Sequence, residues 1–155
     1  SNLLGVLVMV LDISKAAVPV GLAYQSLEIR GLPMILIAVM PILGHAFSPF
    51  LAFKGGKAIG TALGTVIGIS LWQLSLPAVI GAGIGIAFLT STGWAIILAE
   101  IAILVAIAFW FHDPHYSWIM LCIILILGWT LRGDLKKPPQ FRPWVTRAFS
   151  RLDKQ

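Results

Sequence analysis

Two lysines bracket a pair of adjacent glycines at Lys54-Gly55-Gly56-Lys57, immediately before an apolar segment that begins at Ala58. If that segment is a helix, its first N–H groups are unpaired and lie at the positive end of the helix dipole. Adjacent glycines allow an anion to approach the main chain, and the lysines add full positive charge. The pattern predicts an anion site suited to phosphate. The alternative is a flexible basic turn, and a Walker loop is excluded because its spacing and preceding strand are absent.

Ionisable side chains inside apolar segments are the other candidates, because such residues are costly in a membrane and tend to be functional. Asp12 and Lys15 are three residues apart and share a helix face, so they form either a self-neutralising structural pair or part of a site. His45 lies near the end of the second apolar segment, where it is either a core residue or a ligand-orienting group. Glu100 has no partner nearby in the sequence. We expect it to face the bundle interior or a water-filled cleft, or to be protonated.

The composition indicates that membrane-spanning helices hold these residues. Hydrophobic residues make up 59% of the 155 positions and charged residues only 11%, whereas a soluble domain carries about 25% charged residues. A helix needs about 20 mainly apolar residues to cross the hydrocarbon core. We therefore predict an all-α, polytopic transmembrane helix bundle. Its expected six spans are Leu3–Tyr24, Pro33–Phe53, Ala58–Leu74, Leu76–Leu89, Trp94–Phe111 and Tyr116–Leu131.

Glycines recur at four-residue spacing in two of these spans. Gly60, Gly64 and Gly68 lie in the third span, and Gly81 and Gly85 lie in the fourth. Small residues at this spacing let helix backbones approach closely in lipid. The pattern predicts that these glycines serve helix packing.

The distribution of lysine and arginine predicts the orientation of the bundle. A six-span layout places the Lys54–Lys57 loop and the basic tail on one side, and basic loops are retained in the cytoplasm. The other side carries Arg30, offset by Glu28, and the turn His112-Asp113-Pro114-His115. The basic residues of the tail are Arg132, Lys136, Lys137, Arg142, Arg147, Arg151 and Lys154. We predict that the loop and the C-terminus are cytoplasmic.

We divide the chain into a bundle of residues 1–134 and a basic tail of residues 135–155. The tail starts with a Lys-Lys-Pro-Pro stop, and apolar residues at helical spacing after Pro143 predict an amphipathic helix in the headgroup layer. A disordered basic tail is the alternative. The chain opens without a basic leader, so its start does not indicate a signal peptide. It also lacks an initial methionine, so we expect further residues upstream. The lone cysteine, Cys122, is expected to act as a small apolar residue.

The stretch from Gly44 to Thr61 resembles the second signature of the bacterial acyl-phosphate:glycerol-3-phosphate acyltransferases. That signature reads approximately Gly-His-x-Phe-Pro-x-Phe-x-x-Phe-Lys-Gly-Gly-Lys-Gly-x-Ala-Thr. The matching residues are Gly44, His45, Phe47, Phe50, Phe53, Lys54, Gly55, Gly56, Lys57 and Thr61. An Asp-x-x-Lys followed by a proline precedes the family signature, and Asp12, Lys15 and Pro19 are similar to it.

The sequence departs from the family pattern at several points. Ser48 stands where the family has proline, and Ala58 replaces a glycine. The first family signature, a Gly/Asn-rich loop after an additional helix, is absent, as expected if the chain lacks the N-terminal part of a seven-span protein. The third signature is reduced to Thr90-Ser91-Thr92-Gly93-Trp94.

The resemblance implies transfer of a fatty acyl group from acyl-phosphate to glycerol 3-phosphate, which forms lysophosphatidic acid for phospholipid synthesis in the bacterial plasma membrane. It implies catalytic roles for His45, Lys54 and Lys57. Phosphate binding is assigned to Lys54, Gly55, Gly56, Lys57 and Thr61, with support from Asp12, Lys15 and Gly44. We favour an orienting role for His45 over a general base.

The implied partners are the two phosphorylated substrates and membrane lipids, with no nucleic acid, metal or cofactor. Two other classes of function stay open. The chain is alternatively a non-catalytic relative that binds phosphorylated lipid, or a small membrane transporter. In a transporter, Asp12, Lys15 and Glu100 would mark a translocation or proton path.

Overall fold

The protein is a bundle of α-helices. The computed structural model describes residues 2–53, 55–110 and 114–152, with the side chains of residues 51 and 148–152 excepted. The α-helices are α1 (Asn2–Gly21), α2 (Leu32–Ala46), α3 (Ile59–Ser70), α4 (Ser75–Phe88), α5 (Thr92–Trp110), α6 (Pro114–Thr130), α7 (Arg132–Leu135) and α8 (Pro143–Leu152). A π-turn at Leu22–Ser26 extends α1. Among the described residues, the only extended pairing is an isolated bridge between Leu89 and Phe141.

The helices carry apolar residues on their outer surface, as lipid-facing helices do. By length and composition, Asn2–Ser26 and Thr92–Trp110 are long enough to cross a membrane, and α2, α3, α4 and α6 are shorter apolar helices. Large apolar side chains stay exposed around the bundle, including Leu3 at 77% and Phe109 at 75% of their surface. A soluble fold would bury such surface, because leaving an aliphatic side chain in water costs about 1.5–3 kcal/mol.

The two glycine repeats join two pairs of helices. In the parallel pair α1 and α3, a Cβ on Gly64 would overlap the carbonyl oxygen of Ile13, and one on Gly68 would lie 2.9 Å from the nitrogen of Gly21. In the antiparallel pair α4 and α5, a Cβ on Gly81 would lie 2.9 Å from the Cα of Ala99. Backbones this close leave no room for a side chain, so the predicted role of these glycines in packing is confirmed.

Consecutive long helices run in alternate directions, which gives the bundle two distinct ends. We call the end where α2 stops and α3 starts the site end. One lysine of the loop that joins these helices, Lys57, contacts Asp134 of α7 there. The predicted placement of the loop and the tail on one side of the bundle is therefore confirmed.

Tryptophans are found at both ends. Trp94, Trp129 and Trp144 are at the site end, and Trp72, Trp110 and Trp118 are toward the other end. Aromatic belts of this kind mark the two membrane–water interfaces.

The second helix is shorter than predicted. It ends at Ala46 rather than Phe53, because Ser48 is extended (φ −59°, ψ 120°) ahead of Pro49, and residues before a proline avoid helical geometry. A 3₁₀ turn at Pro49–Leu51 follows, and Ala52 and Phe53 are left-handed. The apolar residues directly after Ala46 thus belong to a loop and not to a helix. Likewise α3 ends at Ser70, because Leu71 has φ 54°.

The segment after α7 is fastened across the turn between α4 and α5. The N–H of Thr90 donates to the carbonyl of Gln140 at 3.0 Å, and the N–H of Arg142 donates to the carbonyl of Phe88 at 2.9 Å. The indole N–H of Trp144 donates to the carbonyl of Ala87 at 3.1 Å. The predicted tail helix starts at Pro143 as α8. Its location in the headgroup layer stays a prediction.

Candidate functional site

The glycine pair lies against the end of α2. The N–H of Gly56 donates to the carbonyl of His45 at 3.3 Å, which folds the loop back onto the helix. A Cβ on Gly55 would overlap that same carbonyl oxygen, and one on Gly56 would overlap Nε2 of the His45 ring. Both positions therefore need glycine because the loop packs closely on the end of α2. The approach of a phosphate to this main chain stays a prediction.

An open cleft of about 550 Å³ lies beside this loop at the site end. It is formed by the end of α2, the loop, the end of α6 and α7. The residues that line it are Ala46, Phe47, Phe53, Gly55, Gly56, Lys57, Trp129, Thr130, Arg132, Gly133 and Lys136. Three of these side chains are cationic, and aromatic side chains provide the apolar part of the wall.

Lys57 is held from two directions. Its ammonium donates to Oδ2 of Asp134 at 2.7 Å, and the hydroxyl of Thr130 donates to its main-chain carbonyl at 3.0 Å. The Lys57 side chain is about half exposed. An ion pair this exposed contributes about 0–1 kcal/mol, so an incoming phosphate can displace the carboxylate.

Arg132 and Lys136 also line the cleft, although their sequence positions predicted only a basic tail for them. The guanidinium of Arg132 stacks over the ring of Trp129, 4.4 Å from its centroid. Arginine and lysine are the usual phosphate-binding side chains, and arginine can bind two oxygens at once. Their spacing of four residues directly after the last apolar segment, on the side of the glycine loop, was the available signal.

The structure joins Asp12, Lys15 and His45 into one cluster. The ammonium of Lys15 lies 2.7 Å from Oδ1 of Asp12 and 2.6 Å from Nδ1 of His45. The same carboxylate oxygen lies 3.4 Å from Nδ1. Because His45 also contacts Gly56, this cluster connects α1 to the glycine loop.

The other predicted site residues have different surroundings. Thr61 is fully buried in the first turn of α3, where its hydroxyl has no hydrogen-bond partner within the described part of the chain. A Cβ on Gly44 would meet open space. Lys54 lies outside the described residues, as do His112 and Asp113 of the predicted acidic turn. The roles of Thr61, Gly44 and Lys54 therefore stay predictions.

Glu100 lies inside the bundle, away from the cleft. It is 6% exposed and faces a small apolar cavity of about 90 Å³ between α3, α4, α5 and α6. Its Oε2 atom has no hydrogen-bond partner within the described residues. The expectation that Glu100 faces the bundle interior is confirmed.

The reduced third signature, at the start of α5, packs against α7 and the residues that follow it. A Cβ on Gly93 would lie 2.7 Å from Cβ of Asp134, the residue paired with Lys57. The indole N–H of Trp94 donates to the carbonyl of Lys137 at 2.8 Å. This segment thus positions α7 and, through it, the cationic wall of the cleft.

The fold and the cleft define a polytopic membrane protein with a cationic, glycine-lined site at one end of its helix bundle. The sequence profile of the glycerol-3-phosphate acyltransferase family matches residues 1–138. The chain belongs to this family, and the resemblance seen in the sequence is confirmed.

Curated relatives and solved structures support the same assignment. The chain is 34% identical over 143 residues to the glycerol-3-phosphate acyltransferase of Anaeromyxobacter dehalogenans, covering 86% of this chain and 68% of that one. It is 33% identical over 103 residues to glycerol-3-phosphate acyltransferase 2 of Lactobacillus acidophilus, covering 66% of this chain and 48% of that one. The chain thus spans about half the length of that relative, and between 23% and 68% of the eight compared.

The fold is that of PlsY (YgiH), an integral membrane glycerol 3-phosphate acyltransferase. Its glycerol 3-phosphate form superposes with a TM-score of 0.76 at 26% identity, covering 85% of this chain and 66% of that one. Its lysophosphatidic acid form gives a TM-score of 0.77 at 26% identity, covering 85% and 67%. The predicted all-α transmembrane bundle is therefore confirmed.

Proposed function

We propose that this protein transfers a fatty acyl group from acyl-phosphate to the 1-hydroxyl of glycerol 3-phosphate, forming lysophosphatidic acid. The observation that carries the proposal is the cleft in which the glycine loop, Lys57, Arg132 and Lys136 meet. Both substrates carry phosphate, and family relatives are named for glycerol 3-phosphate. A cationic site among apolar helices suits a substrate with a charged head and an acyl chain.

The reaction needs charge stabilisation and positioning. The hydroxyl oxygen forms the new ester bond to the acyl carbon, the bond from that carbon to the phosphate oxygen breaks, and phosphate leaves with the electron pair. The proton of the hydroxyl is transferred to the departing phosphate as the ester forms. Cations and main-chain N–H groups fixed around a phosphate stabilise charge that develops on the leaving oxygens. Lys57, Arg132 and the glycine loop are the groups proposed for this role.

The alternatives differ in what they require of the intramembrane charges. A transporter would need Asp12, Lys15 and Glu100 along one path. However, Asp12 and Lys15 cluster with His45 at the glycine loop, whereas Glu100 lies elsewhere beside a small apolar cavity. This arrangement favours a site at one end of the bundle. A relative that binds phosphorylated lipid without turnover would use the same cleft, so only an activity measurement separates it from the enzyme.

The test is an acyl transfer assay with acyl-phosphate and glycerol 3-phosphate, run in parallel with acyl-CoA as the donor. We expect lysophosphatidic acid and phosphate in equal amounts from acyl-phosphate, and a strong loss of activity in Lys54→Ala and Lys57→Ala. Lys137→Ala is the matched control, because that exposed lysine does not line the cleft. Unchanged activity in both site variants would overturn the assignment, and binding without turnover would favour the non-catalytic alternative.

We further propose that the cleft faces the cytoplasm in the bacterial plasma membrane. The positive-inside rule supports this orientation, since Lys57, Arg132, Lys136 and Lys137 are all at the site end. In a Cys122→Ala background, a cysteine introduced by Lys137→Cys should resist a membrane-impermeant maleimide in intact cells, and one introduced by Leu27→Cys should react. The reverse labelling would contradict the orientation.

A further inference from the structure

The imidazole of His45 has two different environments at its two nitrogens. Nδ1 faces α1, 2.6 Å from the ammonium of Lys15. Nε2 is the ring atom nearest to the position that a Cβ on Gly56 would occupy, so it is directed at the glycine loop. The tautomer of the ring therefore determines whether Nε2 presents a hydrogen-bond donor or an acceptor to the glycine loop.

The chemistry of Lys15 determines that tautomer. A lysine ammonium has three donors and no acceptor, so the Nδ1 atom in contact with it must accept. A neutral imidazole that accepts at Nδ1 carries its hydrogen on Nε2.

Asp12 pairs with Lys15 and not with His45. Its Oδ1 accepts from Lys15 at 2.7 Å but lies 3.4 Å from Nδ1 of His45, too far for a good hydrogen bond. The carboxylate is therefore the partner of the ammonium. Its short hydrogen bond is made to Lys15 and not to the imidazole ring.

The Nε2–H group lies against Gly56, a residue that lines the cleft, whereas His45 itself does not line it. The only hydrogen-bond partner of the His45 ring in the described part of the chain is Lys15, at Nδ1. The buried unpaired side-chain atoms of the described residues are Thr61 Oγ1 and Glu100 Oε2, so Nε2 is not sealed in the interior. Within the described residues it is a donor without an acceptor, placed beside the main chain of Gly56.

We propose that Lys15 is a positioning residue that fixes His45 as the Nε2–H tautomer, so that His45 donates a hydrogen bond to an oxygen of the phosphorylated substrate. In this state the nitrogen at the loop has no lone pair free to remove a proton. His45 is a substrate-orienting donor and not a general base. The role of the donor toward substrate rests on the proposed function, whereas the tautomer itself does not.

The tautomer is measured directly by ¹⁵N NMR of histidine-labelled protein in lipid nanodiscs. The chain has only three histidines, so the loss of one signal set in His45→Gln assigns this ring. We expect a protonated, pyrrole-type Nε2 and an unprotonated, pyridine-type Nδ1. In Lys15→Met the ammonium is gone, and Nδ1–H should instead donate to Asp12, which exchanges the two nitrogen types. Lys15→Arg, which also carries only donors, should keep the original pattern.

Two spectra would overturn the inference. One is a wild-type ring protonated at Nδ1 alone or at both nitrogens, and the other is an unchanged tautomer in Lys15→Met. The wild-type spectrum alone decides the first point, so the inference stays falsifiable if Lys15→Met does not fold.

Kinetics then test the role toward substrate. Losing a donor to a charged phosphate oxygen should raise the KM for glycerol 3-phosphate about tenfold in Lys15→Met, with a smaller effect in Lys15→Arg. An unchanged KM in a Lys15→Met variant whose tautomer has switched would overturn the donor role. Absence of acyl transfer in the wild-type protein, with the tautomer as expected, would instead contradict only the proposed function.

Discussion

The ammonium of Lys57 lies 2.7 Å from Oδ2 of Asp134, across 77 positions of sequence. This pair joins the glycine loop to α7, which begins at Arg132 and is followed by Lys136, the other two cations of the cleft. The carboxylate occupies a position from which a phosphate oxygen would also reach Lys57. The carboxylate of Asp134 therefore lies where it would compete with a substrate phosphate for Lys57.

Removing the charge of Asp134 is expected to strengthen substrate binding. In Asp134→Asn the KM for glycerol 3-phosphate should fall about two- to fivefold, because the exposed pair that phosphate must displace is worth at most about 1 kcal/mol. Steady-state kinetics at fixed ionic strength measure this. Glu28→Gln, at the opposite end of the bundle, is the charge-matched control and should leave KM unchanged. A higher KM in Asp134→Asn would show that the carboxylate positions Lys57 instead.

The glycine loop is expected to tolerate no side chain at Gly55. In Gly55→Ala the new Cβ overlaps the carbonyl oxygen of His45, so the loop must move away from α2 and the cleft loses its shape. We expect kcat/KM to fall more than about tenfold, since an ångström-scale misplacement of a site can cost about a hundredfold.

The matched control for Gly55→Ala is Gly83→Ala in α4, where a Cβ meets open space. It should keep both activity and melting temperature. Equal activity in the two variants would contradict the described loop.

Ala58 is expected to be a strained position. It has φ 60° and ψ 16° directly before α3, at the position where the family signature has glycine. A left-handed non-glycine residue costs about 1–2 kcal/mol, and glycine adds about 0.4–1 kcal/mol of unfolded-state entropy. Ala58→Gly should therefore stabilise the protein by about 0.5–1 kcal/mol. Denaturant titration in detergent measures the change.

The control for this substitution is Ala108→Gly in α5, which introduces glycine into an ordinary helix. It should destabilise by about 0.5–1 kcal/mol. A loss of stability in both variants would mean that Ala58 is not strained.

The helices and their pairing were largely predictable from sequence, because length, hydropathy and glycine spacing are local properties. Five of the six predicted spans begin and end within four residues of the observed helices. The predicted second span extends well beyond the observed end of α2. Phe47, Phe50 and Phe53 continue the apolar pattern, whereas Pro49 ends the helix. Hydropathy detects the apolar side chains but not the steric restriction that a proline places on the residue before it.

The site was only partly predictable. The glycine loop was visible because its residues are adjacent in the sequence. The contact between Lys15 and His45 joins two helices, and the contact between Lys57 and Asp134 joins a loop to the end of the bundle. Such contacts depend on how the helices pack, which a single sequence does not specify. Arg132 and Lys136 were recognised as charges on the right side, but not as part of the cleft.

The central claim is that the cleft binds the phosphate of glycerol 3-phosphate. Equilibrium binding of radiolabelled glycerol 3-phosphate to the purified protein in nanodiscs tests it, with Lys57→Ala/Arg132→Ala as the site variant and Lys137→Ala as the control. We predict saturable binding that inorganic phosphate competes for and glycerol does not, with Kd raised more than about tenfold in the site variant only, as expected for the loss of two charge-assisted contacts. Wild-type affinity in Lys57→Ala/Arg132→Ala would contradict the account.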